Sequence, residues 1–182
     1  MKKVYIINGP AGTGKDTFIN ICRLFLSGNL NVVTYSAVDE VKQHLKDNEN
    51  WDGVTKDSYW RLRMYEVKMQ MVADNDRPTR YLIESVENTP DDSIVFLHIR
   101  EPDEIVKLLR LYPDAQTIHM DREGVERFVN PADALTQTIE YNFYLLNNGG
   151  LEELAEQVRA FILENVGEGL ISGEQLDFGS FQ

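Results

Sequence analysis

The residues with the clearest chemistry lie near the start of the chain: Gly9-Pro10-Ala11-Gly12-Thr13-Gly14-Lys15-Asp16-Thr17. Glycines at this spacing let the backbone take positive φ and approach a ligand with no Cβ in the way. Successive N–H groups in such a loop turn inward and form a concave anion site. A helix starting at its end adds unpaired N–H groups and the positive pole of its dipole. A lysine in the place of Lys15 has the reach to touch β- and γ-phosphates. The segment therefore predicts a loop for a nucleoside triphosphate, with Gly9, Ala11, Gly12, Thr13, Gly14, Lys15, Asp16 and Thr17 as its binding residues. The order Gly-x-x-Gly-x-Gly differs from the Gly-x-Gly-x-x-Gly of a dinucleotide site.

One position departs from G-x-x-x-x-G-K-[ST]. Asp16 stands where a hydroxyl normally ligates Mg²⁺. A carboxylate suits the same ion, directly or through water. Thr17 keeps a hydroxyl one residue later, in reach of an α-phosphate. A second acid, Asp39, follows Ser36 off the end of the next apolar run. Ser36 and Asp39 are candidates to face an acceptor, and Asp39 the metal. Asp39 reads equally well as a first-turn acid of the helix it opens.

Arginines supply the other charge such a site needs, because the guanidinium fork matches phosphate oxygens. Arg61, Arg63, Arg77 and Arg80 are candidates for an acceptor phosphate, and each has a solvated helix face as its rival reading. Arg100 leaves the longest apolar run on the ligand side. Arg122 and Arg127 follow a later strand at the sheet's carboxyl end, as candidates to contact a transferring phosphoryl, with a plain loop salt bridge as the rival reading. We expect Lys15, Arg100, Arg122 and Arg127 to act on the reacting groups. The run Ser93–Ile99 is closed by no acid: His98 stands near its end and Glu101 is the nearest carboxylate.

These residues need a scaffold that gathers strand ends. Lys3–Asn8, Asn31–Ser36, Ser93–Ile99, Ala115–Met120 and Asn142–Asn147 read as strands. Helical stripes separate them: Phe18, Ile21, Cys22 and Phe25; Val41 and Leu45; Leu62, Tyr65, Met69 and Val72; Leu82, Ile83 and Val86; Ile105, Leu108, Leu109 and Tyr112; Leu151, Leu154, Ala155, Val158 and Ile162. Lys46–Lys56 reads as a loop, 74–78 as a break, and 131–139 as a further helix. Strand and helix alternating at this spacing require parallel crossovers. We expect one domain over residues 1–166 and a tail over 167–182.

A formal net charge of −12 over 182 residues argues against a nucleic-acid polymer as the main partner. It leaves room for a basic pocket that takes a small phosphate ester. Cys22, the single cysteine, falls on an apolar stripe and reads as a buried thiol. No run approaches a membrane span and the start lacks a secretory pattern, so the expectation is a cytoplasmic protein. Oligomeric state has no signature.

Three segments carry a family likeness. Gly9–Thr17 resembles the Gly-Lys-Asp loop of phage-type deoxynucleoside monophosphate kinases and animal phosphomevalonate kinases. Ile99–Glu104 resembles the strand exit of the deoxynucleotide kinases, and Leu146–Leu154 the last strand and helix of many nucleoside monophosphate kinases. The resemblance implies a three-layer α/β/α P-loop NTPase fold with a five-stranded parallel sheet. It also implies ATP, Mg²⁺ and an acceptor bound opposite ATP across the sheet's carboxyl edge. The activity implied is phosphoryl transfer to a small phosphate-bearing acceptor, a nucleoside or deoxynucleoside monophosphate first. The rival is a nucleotide-binding regulatory module without turnover.

Overall fold

Apolar runs and helical stripes resolve into strands separated by helices, with three helices in succession between the second and third strands. The structure is a computed structural model and describes residues 2–125 and 139–171. The elements are β1 (Lys3–Asn8), α1 (Lys15–Phe25), β2 (Asn31–Ser36), α2 (Asp39–Glu49), α3 (Ser58–Asn75), α4 (Arg77–Asn88), β3 (Ser93–His98), α5 (Pro102–Leu111), β4 (Gln116–Asp121), β5 (Phe143–Leu146) and α6 (Leu151–Asn165). The expected helix over 131–139 lies outside the described residues but for its last position, and so does most of the expected tail.

The strands form one parallel sheet in the order β2-β3-β1-β4-β5. This is the expected α/β fold with helices on both faces. Side chains of a strand alternate between the faces. Tyr5 and Ile7 of β1 join Phe96, Ile118 and Met120 against Phe18, Ile21 and Cys22 of α1 and Val158, Phe161 and Ile162 of α6. Ile6, Val95 and Leu97 point the other way, against Leu82 and Val86 of α4 and Ile105 and Leu108 of α5. Fully burying one such side chain is worth roughly 1.5–3 kcal/mol. A third, smaller cluster of Val41, Leu45, Trp51 and Val67 joins α2 to α3 beyond the sheet.

Three local details differ from expectation. The segment expected as a loop from Lys46 is helical to Glu49, and Trp51 beyond it is buried. α4 begins at Arg77, inside the expected break over 74–78, because Pro78 sits in its first turn, where a missing N–H costs nothing. Asp76, in the left-handed region at φ 54°, makes the break between α3 and α4. On α3 the expected stripe is displaced: Leu62 is exposed, and Met64, Val67 and Met71 face the third cluster.

Candidate functional site

The loop between β1 and α1 is built tightly into the sheet. Gly9 has φ 138°, and a Cβ there would overlap the carbonyl oxygen of Met120 on β4. Gly14 has φ 96° and forms the N-cap of α1 with no side-chain cap, so a Cβ there would strike the Asn147 amide. Asn147, buried just beyond β5, donates from Nδ2 to the Thr13 carbonyl at 2.9 Å. Thr13 is itself fully buried and donates to the Pro10 carbonyl at 3.0 Å. It therefore braces the loop and does not line the cavity. Asn8 accepts from the Gly9 N–H and donates to the Tyr141 hydroxyl at 3.0 Å.

Lys15 folds back over this loop. Its ammonium donates to the carbonyls of Gly9 at 2.7 Å and Pro10 at 2.6 Å. The loop's concavity thus already holds a cation beside an uncapped helix N-terminus, a chemistry that suits a phosphate chain.

A groove of about 1050 Å³ runs from the loop across the carboxyl ends of β1, β2 and β3 to α3. This is where ligands bind in open α/β sheets. Gly9, Ala11, Gly12, Gly14, Lys15, Asp16 and Thr17 line one end. Ser36, Asp39, His98, Arg100 and Arg122 line it further along, together with Arg61 of α3. Of the expected arginines, Arg63, Arg77 and Arg80 do not line the groove. Arg63 faces α2 and grips both carboxylate oxygens of Glu49 at 2.7 Å. Arg77 ties Glu40 to Glu84, with contacts of 2.5–3.1 Å. Both forks are filled by carboxylates, so the geometry assigns them to joining helices. Arg80 is exposed on α4. Arg127 lies outside the described residues.

The two candidate metal ligands differ. Asp39 accepts the Ser36 N–H at 2.7 Å and pairs with Lys42 at 3.0 Å, so it braces the turn into α2 while lining the groove. The Asp16 side chain is 93% exposed, and its carboxylate stands 3.7 Å from His98 Nε2, too far for a hydrogen bond. Among the described residues no group of three His, Cys, Asp or Glu side chains could hold a metal ion. A ligand set of one carboxylate completed by phosphate oxygens and water is nevertheless what Mg²⁺ takes, and Asp16 fits that part. His98 is registered between Ile7 of β1 and Ser36 of β2. Burial, helped by Lys15 and Lys42 against Asp16 and Asp39, pushes its imidazole down to about 4, so it is neutral at pH 7.

Lys68 of α3 is 2% exposed, and its ammonium is bound by Glu101 and by Glu104 at 2.9 Å. Asn8, Asn147 and Lys68 had no motif to mark them; Asn8 and Asn147 sit directly at strand ends, the one signal available.

Sheet order, loop and uncapped helix together define a P-loop α/β protein. No protein-family model and no curated protein sequence matches the chain. Among solved structures it is similar to a sugar kinase from Janibacter sp. HTCC2649, at 12% identity over 94% of this chain and 99% of that one, with a TM-score of 0.49. It is similar also to the APS kinase of Mycobacterium tuberculosis (12%, 88% and 96%, 0.48) and the shikimate kinase of Aquifex aeolicus (13%, 91% and 98%, 0.47). At such identities a structural likeness brings no activity with it. Among the described residues no helix is long and apolar enough to cross a membrane.

Proposed function

We propose that the chain transfers a phosphoryl group from ATP to a small phosphate-bearing acceptor, a nucleoside or deoxynucleoside monophosphate first. The observation that carries this reading is the single groove with two unlike ends. One end is the phosphate loop; the other is a wall of Arg61, Leu62, Tyr65 and Arg100, with no glycine loop of its own. Its volume is at the upper limit of small-molecule sites, enough for a donor and an acceptor side by side.

Catalysis in such a site is positioning and charge neutralisation. The loop N–H groups and the α1 N-terminus hold the β- and γ-phosphates, and Lys15 leaves the Gly9 and Pro10 carbonyls for phosphate oxygens. Asp16 would hold Mg²⁺, which would supply neutralisation of phosphate charge. Thr17 lies beside the α-phosphate. Arg100 and Arg122 stabilise charge on the moving phosphoryl. Ser36, Asp39 and Arg61 orient the acceptor. A phosphate acceptor is already nucleophilic, so no general base is required.

The test is ADP formation with ATP, Mg²⁺ and a panel of monophosphates. Acceptor-dependent ADP is the expected outcome, and Arg100→Ala should lower turnover by about 10³–10⁵, as loss of an arginine finger does. Near-wild-type turnover in Arg100→Ala would remove its role. A second reading, a binding module without turnover, draws on His98 at a strand end that carries no acid. ATP binding with no acceptor-dependent ADP from any monophosphate would favour it.

A further inference from the structure

The groove's far wall carries a pair that phosphate chemistry does not use. Positions 61, 65 and 68 fall on one face of α3 and all line the groove. This face runs from Arg61 through Tyr65, beside Leu62 and Met64, to the buried Lys68. Glu101, the N-cap of α5, also lines the groove; its side chain makes no cap bond and instead accepts from Lys68 through Oε2. Glu104 accepts from Lys68 through one oxygen, while its Oε1 is buried without a partner. One ammonium is thus set among two carboxylates.

An ion pair that only held the fold together would close on itself. This one does not. An ammonium has three N–H donors, and Glu101 and Glu104 take two. A carboxylate has two oxygens, and Lys68 occupies one of Glu101's. Burial raises the Glu104 carboxyl above its ordinary range. Lys68 thus keeps a third N–H, and Glu101 a second oxygen, outside the pair, and both residues line the groove with Tyr65.

Building on the phosphotransfer reading, we propose that Lys68 and Glu101 determine acceptor specificity by reading the edge of a planar nitrogen-bearing ring. A ring N–H donates to Glu101, and an adjacent carbonyl or ring nitrogen accepts from Lys68. The ring lies against Tyr65, Leu62 and Met64. A nucleobase meets all three demands. A polyol offers hydroxyls to the pair but sets wet groups against the apolar wall, which disfavours it. The class of acceptor is therefore a nucleotide read through its base, as distinct from a phosphorylated sugar.

The experiment compares wild type and Glu101→Gln with the common nucleoside monophosphates and with ribose 5-phosphate, which keeps the phosphate and sugar and lacks the base. In wild type, ribose 5-phosphate should be used at least about 100-fold less efficiently in kcat/KM than the best nucleotide. Glu101→Gln leaves Glu104 to hold Lys68. It should raise the acceptor KM roughly 10–100-fold, reorder the bases and leave the KM for ATP unchanged. Should that variant fail to fold, Tyr65→Leu keeps the charges and removes the ring; it should raise KM for nucleotides and not for ribose 5-phosphate. Equal use of ribose 5-phosphate, or an acceptor KM unmoved by the substitution tested, overturns the proposal and leaves phosphotransfer standing. Transfer to no acceptor at all removes both.

Discussion

A neutral histidine beside an ammonium carries a measurable cost in acid. His98 titrates near 4 in the folded chain and near 6.5 when exposed. Between these values the unfolded chain binds a proton that the folded one refuses, so stability falls as pH drops from about 6.5 towards 4. A shift of this size is worth on the order of 3 kcal/mol. Urea titrations in a metal-free, chelator-containing buffer should show wild type losing more stability than His98→Gln over this window. The two chains should differ little in pH dependence above pH 7; equal losses at low pH would mean that the imidazole is not held neutral. At the other extreme, burial raises the Cys22 thiol far above its ordinary range. A thiol-alkylating reagent at pH 8 should leave it untouched until the chain is unfolded. The buried thiol was legible in the sequence, since Cys22 shares a stripe with Phe18, Ile21 and Phe25. The neutral imidazole was not, since it depends first on burial and then on Lys15 and Lys42, which the fold brings to β3 from distant segments.

Among the elements, α3 shows most clearly what local pattern conveys and what it omits. Its existence follows from sequence: Asp57 caps it by accepting the Trp60 N–H at 2.9 Å, and its last turn ends at Asp76. Which face it buries does not follow, because one side of the helix lines a groove. Leu62 and Tyr65 look like core and face the cavity, while Lys68 looks like surface and is enclosed by α5. The phosphate loop was legible for the opposite reason: its residues are contiguous, and its glycines answer to contacts with Met120 and Asn147 that any such loop must make with its sheet. Lys68→Met should show how firmly α3 is anchored. Removing the one cation leaves two neighbouring carboxylates in a buried site, a change that costs about 3–5 kcal/mol. Adding Glu104→Gln should recover part of that loss, because it removes one of the stranded charges. Failure of the second substitution to restore any stability, read by denaturant midpoint, would show that Lys68 matters through its methylene stem alone.

At the scale of the molecule, the apolar interior is divided unequally. The sheet is covered on both faces by large clusters, with Tyr5 stacked on Phe96 and edge-on to Phe161 at ring centroid distances of 5.5 and 5.0 Å. The α2–α3 unit, which forms the far wall of the groove, rests on the small cluster of Val41, Leu45, Trp51 and Val67. Sparse apolar contact marks a part that opens before the rest. Both tryptophans of the chain belong to this unit, their ring centroids 6.2 Å apart, with Trp51 buried and its indole N–H on the Thr55 carbonyl at 2.7 Å. Indole fluorescence therefore reports the wall, while far-UV circular dichroism reports the whole chain. In a denaturant titration the fluorescence midpoint should precede the circular dichroism midpoint. A saturating acceptor should draw the two together, because a ligand that touches α3 and the sheet stabilises only the closed arrangement. ATP alone, held at the loop end, should leave the gap between them. Coincident midpoints without ligand would mean that the wall is as firmly built as the sheet, and that the groove's acceptor end is rigid before anything enters it.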